Sequence, residues 1–277
     1  MANSGKTDNP NTVTLNGIPA SPGIAIGRVF LYRQKMAEAS QPSEAANKAN
    51  ELGDLKRALV LTRAQLESIL AKATREVGES EASIFQAHIL MLDDPSLLRE
   101  INNSIENGRS VEESVAMAVE KYASAIESLS DETLKARAAD VRDVGARILR
   151  NLKEEETFSL SDLVEQVIVV ASNLTPSDTI ELDKEKVLGF ATEAGARAGA
   201  ASHVAIFARS LGIPAVIGLR GVTTIAKDLD MIILDGTEGI AVLRPTKELL
   251  EEYLGRLNRT SIKTGHVSEE NPEPGKT

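Results

Sequence analysis

The feature that most limits how this chain can fold is a double change of periodicity along its length. Val13–Ile18 and Ile26–Tyr32 alternate as two short strands, separated by the turn signals Pro19, Ser21, Pro22 and Gly23. From about Ser43 the spacing becomes helical, with Leu52, Leu55, Leu59, Leu66, Ile69 and Leu70 on one apolar face. A second helix is predicted over Glu81–Asp93. Asp94 and Pro95 then mark a new start, because Asp caps a helix and Pro suits its first turn. Asn107 and Gly108 close that helix, and Ser110 with Glu113 forms a capping-box pattern for the next. Ser130 with Thr133 repeats the pattern ahead of a long helix, along one side of which run Leu134, Ala138, Val141, Gly145, Ile148 and Leu152.

After Thr157 the pattern changes again, to α/β. Val167–Ala171, Val187–Thr192, Met231–Asp235 and Ile240–Arg244 are short β-branched or apolar runs, of the kind that helices cover on both faces. Helical segments follow His203, Val222 and Thr246. The two early strands are expected to return to this second sheet, which makes the helical block an insertion within an α/β domain. Residues 1–12 and 261–277 are polar and aperiodic and read as disordered tails.

Composition removes several classes of function. The chain of 277 residues is long enough for two domains. It holds no cysteine, which excludes disulfides, thiolate metal sites and cysteine nucleophiles. No apolar run approaches the ~20 residues of a membrane span, and the polar start MANSGKTDNPN is no secretory signal. The expected location is the cytoplasm, with no membrane partner. A net charge of −10 argues against nucleic acid and is compatible with a basic protein partner or with solubility alone. No zinc-binding HExxH, paired-cysteine, EF-hand or Walker-type spacing is present, so no metal or nucleotide site is expected.

Three histidines are present, and one stands out. His203 follows the Gly/Ala-rich stretch Gly195–Ala201, which carries one cation, Arg197, and it sits at the start of a predicted helix. Helix N-termini attract anions and disfavour the imidazolium form, so a neutral, nucleophilic ring beside an anion site suits phosphoryl acceptance. Ser202 can cap the helix or bond a phosphoryl oxygen, and Thr175 can orient the imidazole through a ring nitrogen. The plainer alternatives are a tight loop packed on the sheet, and ordinary helix capping by Thr175 ahead of Pro176. Arg209 either points toward a phosphate or lies on a helix surface. His88 is either a satisfied core histidine or part of an apolar partner-contact patch on its helix with Phe85, Met91 and Leu92. Asp140, Arg142 and Asp143 read as a solvated helix face with local ion pairs. His266, in the tail, is assigned nothing.

Six segments in series resemble the N-terminal half of Enzyme I of the phosphoenolpyruvate-dependent sugar phosphotransferase system. They are GIPASPGIAIGRVFLY, IFQAHILMLDDPSL, LKARAADVRDVGARILRNL, VASNLTPSDT, VLGFATEAG and SHVAIFARSLGIPAVIG, and the resemblance as a whole covers about Leu15 to Asn258. The resemblance implies a phosphohistidine (swivelling) α/β domain, residues 13–34 and 155–260, interrupted by an all-helical domain, residues 35–154, that binds the phosphocarrier protein HPr. It places His203 at the phosphorylated histidine, Thr175 at the threonine bonding that ring, and His88 and its neighbours in the HPr-docking region. It leaves phosphoenolpyruvate and magnesium to a C-terminal barrel that this sequence does not contain, so no cofactor is expected here. It implies reversible phosphoryl exchange with HPr, a shortened form of the enzyme, and a monomer, since the family dimerises through the barrel. The swivelling domains of pyruvate phosphate dikinase and phosphoenolpyruvate synthase share the Ser-His-xxx-Ala-Arg pattern but not the helical insertion. One departure concerns the loop before His203. Where the family reads GGRTSH, this chain reads GARAGAASH, with three extra residues between Arg197 and Ser202, Ala201 in place of Thr, and Ala196 in place of the second Gly. The alternative function is therefore an HPr-binding module impaired in transfer.

Overall fold

The computed structural model describes residues 11–33, 48–153, 160–195 and 202–265. The chain forms two compact units: one from Met1–Tyr32, Glu165–Asn173 and Lys184–Thr277, the other from Arg33–Val164 and Leu174–Asp183. The α-helices are α1 (Lys48–Glu76), α2 (Glu79–Leu92), α3 (Pro95–Glu106), α4 (Val111–Glu127), α5 (Glu132–Lys153), α6 (Pro176–Glu181), α7 (His203–Leu211), α8 (Val222–Ile225) and α9 (Lys247–Gly265). The strands are β1 (Val13–Asn16), β2 (Ile18–Ser21), β3 (Ile24–Tyr32), β4 (Val167–Ala171), β5 (Val187–Thr192), β6 (Ala215–Ile217), β7 (Met231–Asp235) and β8 (Ile240–Leu243).

The first unit is built on an eight-stranded sheet in the order β1-β8-β7-β3-β4-β5-β6-β2. The early strands do return to it. β3 pairs parallel to β4, with Val29 opposite Ile168, and antiparallel to β7, with Ile26 opposite Ile233. β1 extends the sheet beside β8 and β2 closes it beside β6, both antiparallel. Alternation sorts the side chains by face. Ala25, Val29, Ile232, Leu234, Ala241 and Leu243 join one core with Leu219 and Val222, while Ile233 and Val242 meet Tyr253 of α9 on the other. β4 (VIVVA) is buried at all five positions, as a central parallel strand should be.

The second unit packs α1 to α5 together with α6 and a 3₁₀ turn at Leu160–Asp162. Asp94 accepts from the Ser96 and Leu97 amides at 2.7 and 3.0 Å, with Pro95 in the first turn, as the sequence predicts. Leu97, Ile101 and Ile105 then fall one above another on the buried face of α3. Ser110 caps α4 through the Glu113 amide at 3.2 Å. α4 and α5 approach closely at Gly145, where a Cβ would lie 2.5 Å from Val119 Cγ2.

The structure departs from the sequence reading in several places. Asp131, not Ser130, caps α5, its carboxylate accepting from the Leu134 amide at 3.2 Å. Residues 160–164 and 174–183, expected within the α/β domain, belong by their contacts to the helical unit. Thr12, assigned to the N-terminal tail, donates to the Arg244 carbonyl at 2.7 Å, and Arg244 Nε donates to the Asn11 carbonyl at 2.8 Å. α9 continues to Gly265, past the expected start of the C-terminal tail. β6 was not foreseen, because three buried residues are too few for alternation to register. The solvated face expected of Asp140, Arg142 and Asp143 is not observed as such. Asp140 and Asp143 are 1% and 6% exposed, although Asp140 does make a local ion pair with Arg137 at 3.1 Å and Arg142 pairs on the surface with Glu120. α1, α2 and α4 pack against α5, so its polar positions are enclosed with its apolar ones.

Candidate functional site

The chain leaving β5 is bolted across the carboxyl ends of the parallel strands. The Glu193 and Ala194 amides donate to the Ala171 and Ser172 carbonyls at 3.2 and 2.8 Å, and the Ala194 carbonyl accepts from the Gly218 amide at 3.1 Å. The Glu193 carboxylate accepts from both the amide and the hydroxyl of Thr223, at 2.9 and 2.6 Å. This tie between β5 and α8 has no short-range sequence signal, since its partners stand thirty residues apart. Open α/β sheets bind ligands outside the carboxyl ends of such strands. Residues 196–201, with Arg197 and the three extra residues, lie outside the described residues, as does His266.

His203 is the first residue of α7 and is half-buried. Ser202 is the N-cap, its hydroxyl accepting from the Ala205 amide at 3.2 Å. The imidazole stacks on Phe207 one turn on, with ring centroids 6.5 Å apart and planes 27° apart. Gly212 ends the helix in the left-handed conformation (φ 70°), which glycine adopts without a Cβ penalty. Arg209 donates to the Ala20 carbonyl at 2.9 Å, tying α7 to β2 rather than standing as a simple surface cation. The nine-residue helix thus presents an imidazole at its positive end on a short, well-anchored scaffold.

Thr175 lies in the other unit and caps α6. Its hydroxyl oxygen accepts from the Asp178 amide at 3.1 Å, and its own amide donates to Asp178 Oδ2 at 2.9 Å, a complete capping box. The ordinary capping role read from Pro176 is therefore present. A hydroxyl oxygen has two lone pairs, so this role leaves one lone pair and the hydroxyl hydrogen for other bonds. Asp178 was missed, although its spacing, Thr-x-x-Asp ahead of an apolar residue, is legible.

The patch expected on α2 is mostly inside. Phe85 and His88 are 0% exposed and Leu92 is 3% exposed; Met91 is half-buried. As surface contacts, Phe85, His88 and Leu92 are therefore corrected. They face the helical core, where Phe85 meets the His88 ring edge-on at 5.7 Å. The exposed positions on α2 include Ser83, Gln86 and Leu90, which share one face at helical spacing. His88 Nε2 lies 3.8 Å from Asp140 Oδ1, and Nδ1 lies 4.0 Å from Asp143 Oδ2. Burial pushes the Asp143 carboxyl up, and the nearby charge of Asp178 pushes it further, against the pull of His88 and Arg147. Arg142 spans Glu120, at 2.7 and 3.0 Å, and Glu127, and its hydrogen bonds hold the Glu120 carboxyl down at about 2. Among the described residues no group of three or more His, Cys, Asp or Glu is placed to hold a metal ion. None of the described helices is long and apolar enough to cross a membrane.

Residues 16–137 match the family model for the N-terminal region of PEP-utilising enzymes, and residues 163–239 that for their mobile domain. The phosphoenolpyruvate-protein phosphotransferase of Bacillus sp. (strain S) is 40% identical over 242 residues, covering 87% of this chain and 41% of that protein. That of Listeria innocua is 38% identical over 240 residues, covering 86% and 41%. The chain thus spans well under half the length of these curated relatives. A solution NMR structure of Enzyme I (nEIt) superposes with a TM-score of 0.71 at 43% identity, over 89% of this chain and 99% of that one. The N-terminal domain of Enzyme 1 - Nitrogen superposes at 0.58 with 28% identity, over 88% and 99%. With both family models in order and a relative of the same extent superposing end to end, this chain belongs to the Enzyme I family of phosphoenolpyruvate-utilising phosphotransferases and matches its N-terminal part.

Proposed function

We infer that the chain carries a phosphoryl group on His203 and exchanges it reversibly with the phosphocarrier HPr. The observation that supports this most is the placement of His203: first residue of a capped, nine-residue helix, within the segment matching the mobile domain. In the exchange, a ring-nitrogen lone pair of His203 forms a P–N bond in line as the P–N bond to the donor histidine breaks. The bonding pair returns to the donor ring, and the reverse step regenerates both partners. Thr175 supports a role in orienting that ring. Its second oxygen lone pair is suited to accept one imidazole N–H, which leaves the opposite nitrogen with its lone pair as the nucleophile. Ser202 fixes the helix start on which the ring sits, and Arg197 is assigned to the phosphoryl oxygens.

HPr docking is assigned to the exposed face of α2 around Gln86 and Leu90, edged by Met91, with Phe85, His88 and Leu92 shaping that helix from within. The net charge of −10 suits a basic carrier, whose encounter it would steer. Phosphoenolpyruvate and magnesium are assigned to the portion of the full-length relatives that this chain does not span. The working form is a cytoplasmic monomer. Mixing with phospho-HPr should place an acid-labile phosphoryl group on the protein, and His203→Ala should abolish it. HPr binding by calorimetry without phosphohistidine in the native chain would overturn the relay and leave a binding module. A strong gain in rate on removing three residues from 198–201 would locate that defect in the loop.

A further inference from the structure

In the sheet unit, the parallel strands β4, β5 and β6 end at Ala171, Thr192 and Ile217. α7 is the crossover between β5 and β6, so it runs back against the strands and starts at the end where β5 exits. Glu193 and His203 therefore stand at the same end of one sheet. The backbone ties that fix this exit, from Glu193 and Ala194 to the end of β4 and from Ala194 to Gly218, need no particular side chain at position 193. The Thr192 hydroxyl, donating to the Ala194 carbonyl at 3.1 Å, is a local bond. The Glu193 carboxylate does something else. Its Oε1 accepts from the Thr223 amide at 2.9 Å and from the Thr223 hydroxyl at 2.6 Å. Thr223 lies in the first turn of α8, whose N-cap, Gly221, makes no side-chain capping bond. Glu193 supplies that cap from thirty residues away, and bonds to an ionised acceptor are the stronger kind. α8 is itself seated by Val222, buried in the same core as Ile168 and Val170 of β4. The carboxylate thus ties the exit of β5 to a helix bedded on the neighbouring strand. A carboxylate does not attract a phosphoryl group, so Glu193 is no ligand for one; what it offers this end of the sheet is its hold on Thr223.

We propose that Glu193 and Thr223 are positioning residues for phosphoryl exchange at His203. The chain leaves their tie at Gly195 and re-enters the described structure at Ser202, the cap of α7. The tie therefore sets one of the two fixed points between which the approach to His203 is strung. Loosening that point shifts the surroundings of the ring without unfolding the sheet, which lowers the rate of transfer and leaves partner binding alone. This role rests on the relay through His203.

Transfer from phospho-HPr to the whole chain, timed by rapid quench over a range of phospho-HPr concentrations, tests the role. Thr223→Val keeps the shape and the amide but loses the hydroxyl, and Glu193→Ala loses the acceptor. Each should lower the limiting rate about tenfold, short of the roughly hundredfold cost of a misplacement near 1 Å, with the half-saturating concentration unchanged. Glu193→Gln retains a carbonyl oxygen for both donors and should keep the limiting rate within about threefold of native. The double variant Glu193→Ala with Thr223→Val should be no slower than Glu193→Ala, because the two groups act as one. Thr237→Val is the control for mere destabilisation. It removes a bond of the same kind, from the Gly23 amide at 3.0 Å, at the amino ends of the parallel strands. It should lower Tm as Thr223→Val does and leave the limiting rate unchanged. Four results overturn the proposal while the relay stands: native rates in Thr223→Val and Glu193→Ala, a change in half-saturation alone, Glu193→Gln as slow as Glu193→Ala, or equal slowing by Thr237→Val. If the native chain takes no phosphoryl group at all, the relay fails and this role falls with it.

Discussion

His203 and His88 are the same side chain on two helices, and their settings are opposite. His203 opens its helix, half-buried, with Ser202 capping beside it and Phe207 stacked beneath it. His88 sits in the middle of α2 with no exposed surface, between two carboxyls and against the edge of Phe85. The first location offers a ring to solvent and to an anion at the positive end of a helix; the second seals a ring where only its neighbours can reach it. The first setting suits the reactivity proposed for His203; the second leaves His88 in reach only of the groups packed around it. The same contrast separates the two units. The sheet unit carries its candidate site at strand and helix ends, whereas the helical unit encloses charged groups in its interior.

The largest expected effect separates the two histidines by function. His203→Ala should reduce phosphoryl incorporation from phospho-HPr to background while costing less than about 1 kcal/mol of stability, the scale of an aromatic stacking contact. His88→Ala should do the reverse, losing about 2–3 kcal/mol through a cavity and two exposed-to-each-other carboxyls, with His203 still phosphorylated. Thermal unfolding of both variants checks the pair, and equal destabilisation would erase the contrast. Thr175→Val should slow transfer by as much as about a hundredfold, since a misplacement near 1 Å has that cost. Thr175→Ser retains the oxygen and should keep most of the rate. Gly145→Ala sharpens the picture of the helical unit. Its Cβ would enter the space of the stiff Val119 side chain, so a loss of about 1–2 kcal/mol is expected despite the better helix propensity of alanine.

The smallest effects come from pH, and they have opposite signs in exposed and buried carboxyls. Glu120 is held down at about 2 by Arg142, so the stability it contributes is present above about 4.5 and is lost as pH falls toward 2. This pair is exposed, and solvent screening limits it to about 0.5 kcal/mol. Asp143 is raised, so its contribution is present below the ordinary aspartate range and is lost as pH rises through its folded value. Stability curves of Glu120→Gln and Asp143→Asn measured against pH should flatten the acid limb and the rising-pH limb respectively. The same slope in both variants would contradict these environments.

Much of the fold was legible because its signals are local. The Asp94-Pro95 start, the Ser110 cap and the apolar run Met231–Asp235 each depend on residues a few positions apart. The interruption of the sheet by helices followed from the two changes of period. The site was legible at His203 and Ser202, whose helix start is written in adjacent residues. Asp143 was read as solvated because a helix pattern does not reveal how many helices surround it. For the same reason, the α2 patch expected outside was found inside. Glu193 and Thr223 were invisible because no pattern links residues thirty apart.

The sequence by itself determined the insertion, the candidate phosphoryl-accepting histidine and the element order apart from β2 and β6. Periodicity, caps and turns are properties of short stretches of chain, and they act before any long-range contact forms. Only the tertiary structure decided which polar side chains are buried, which face of α2 is outside and which carboxyls oppose one another. Those depend on what packs against each helix, and burial governs the free energy of a charge far more than its neighbours in sequence do.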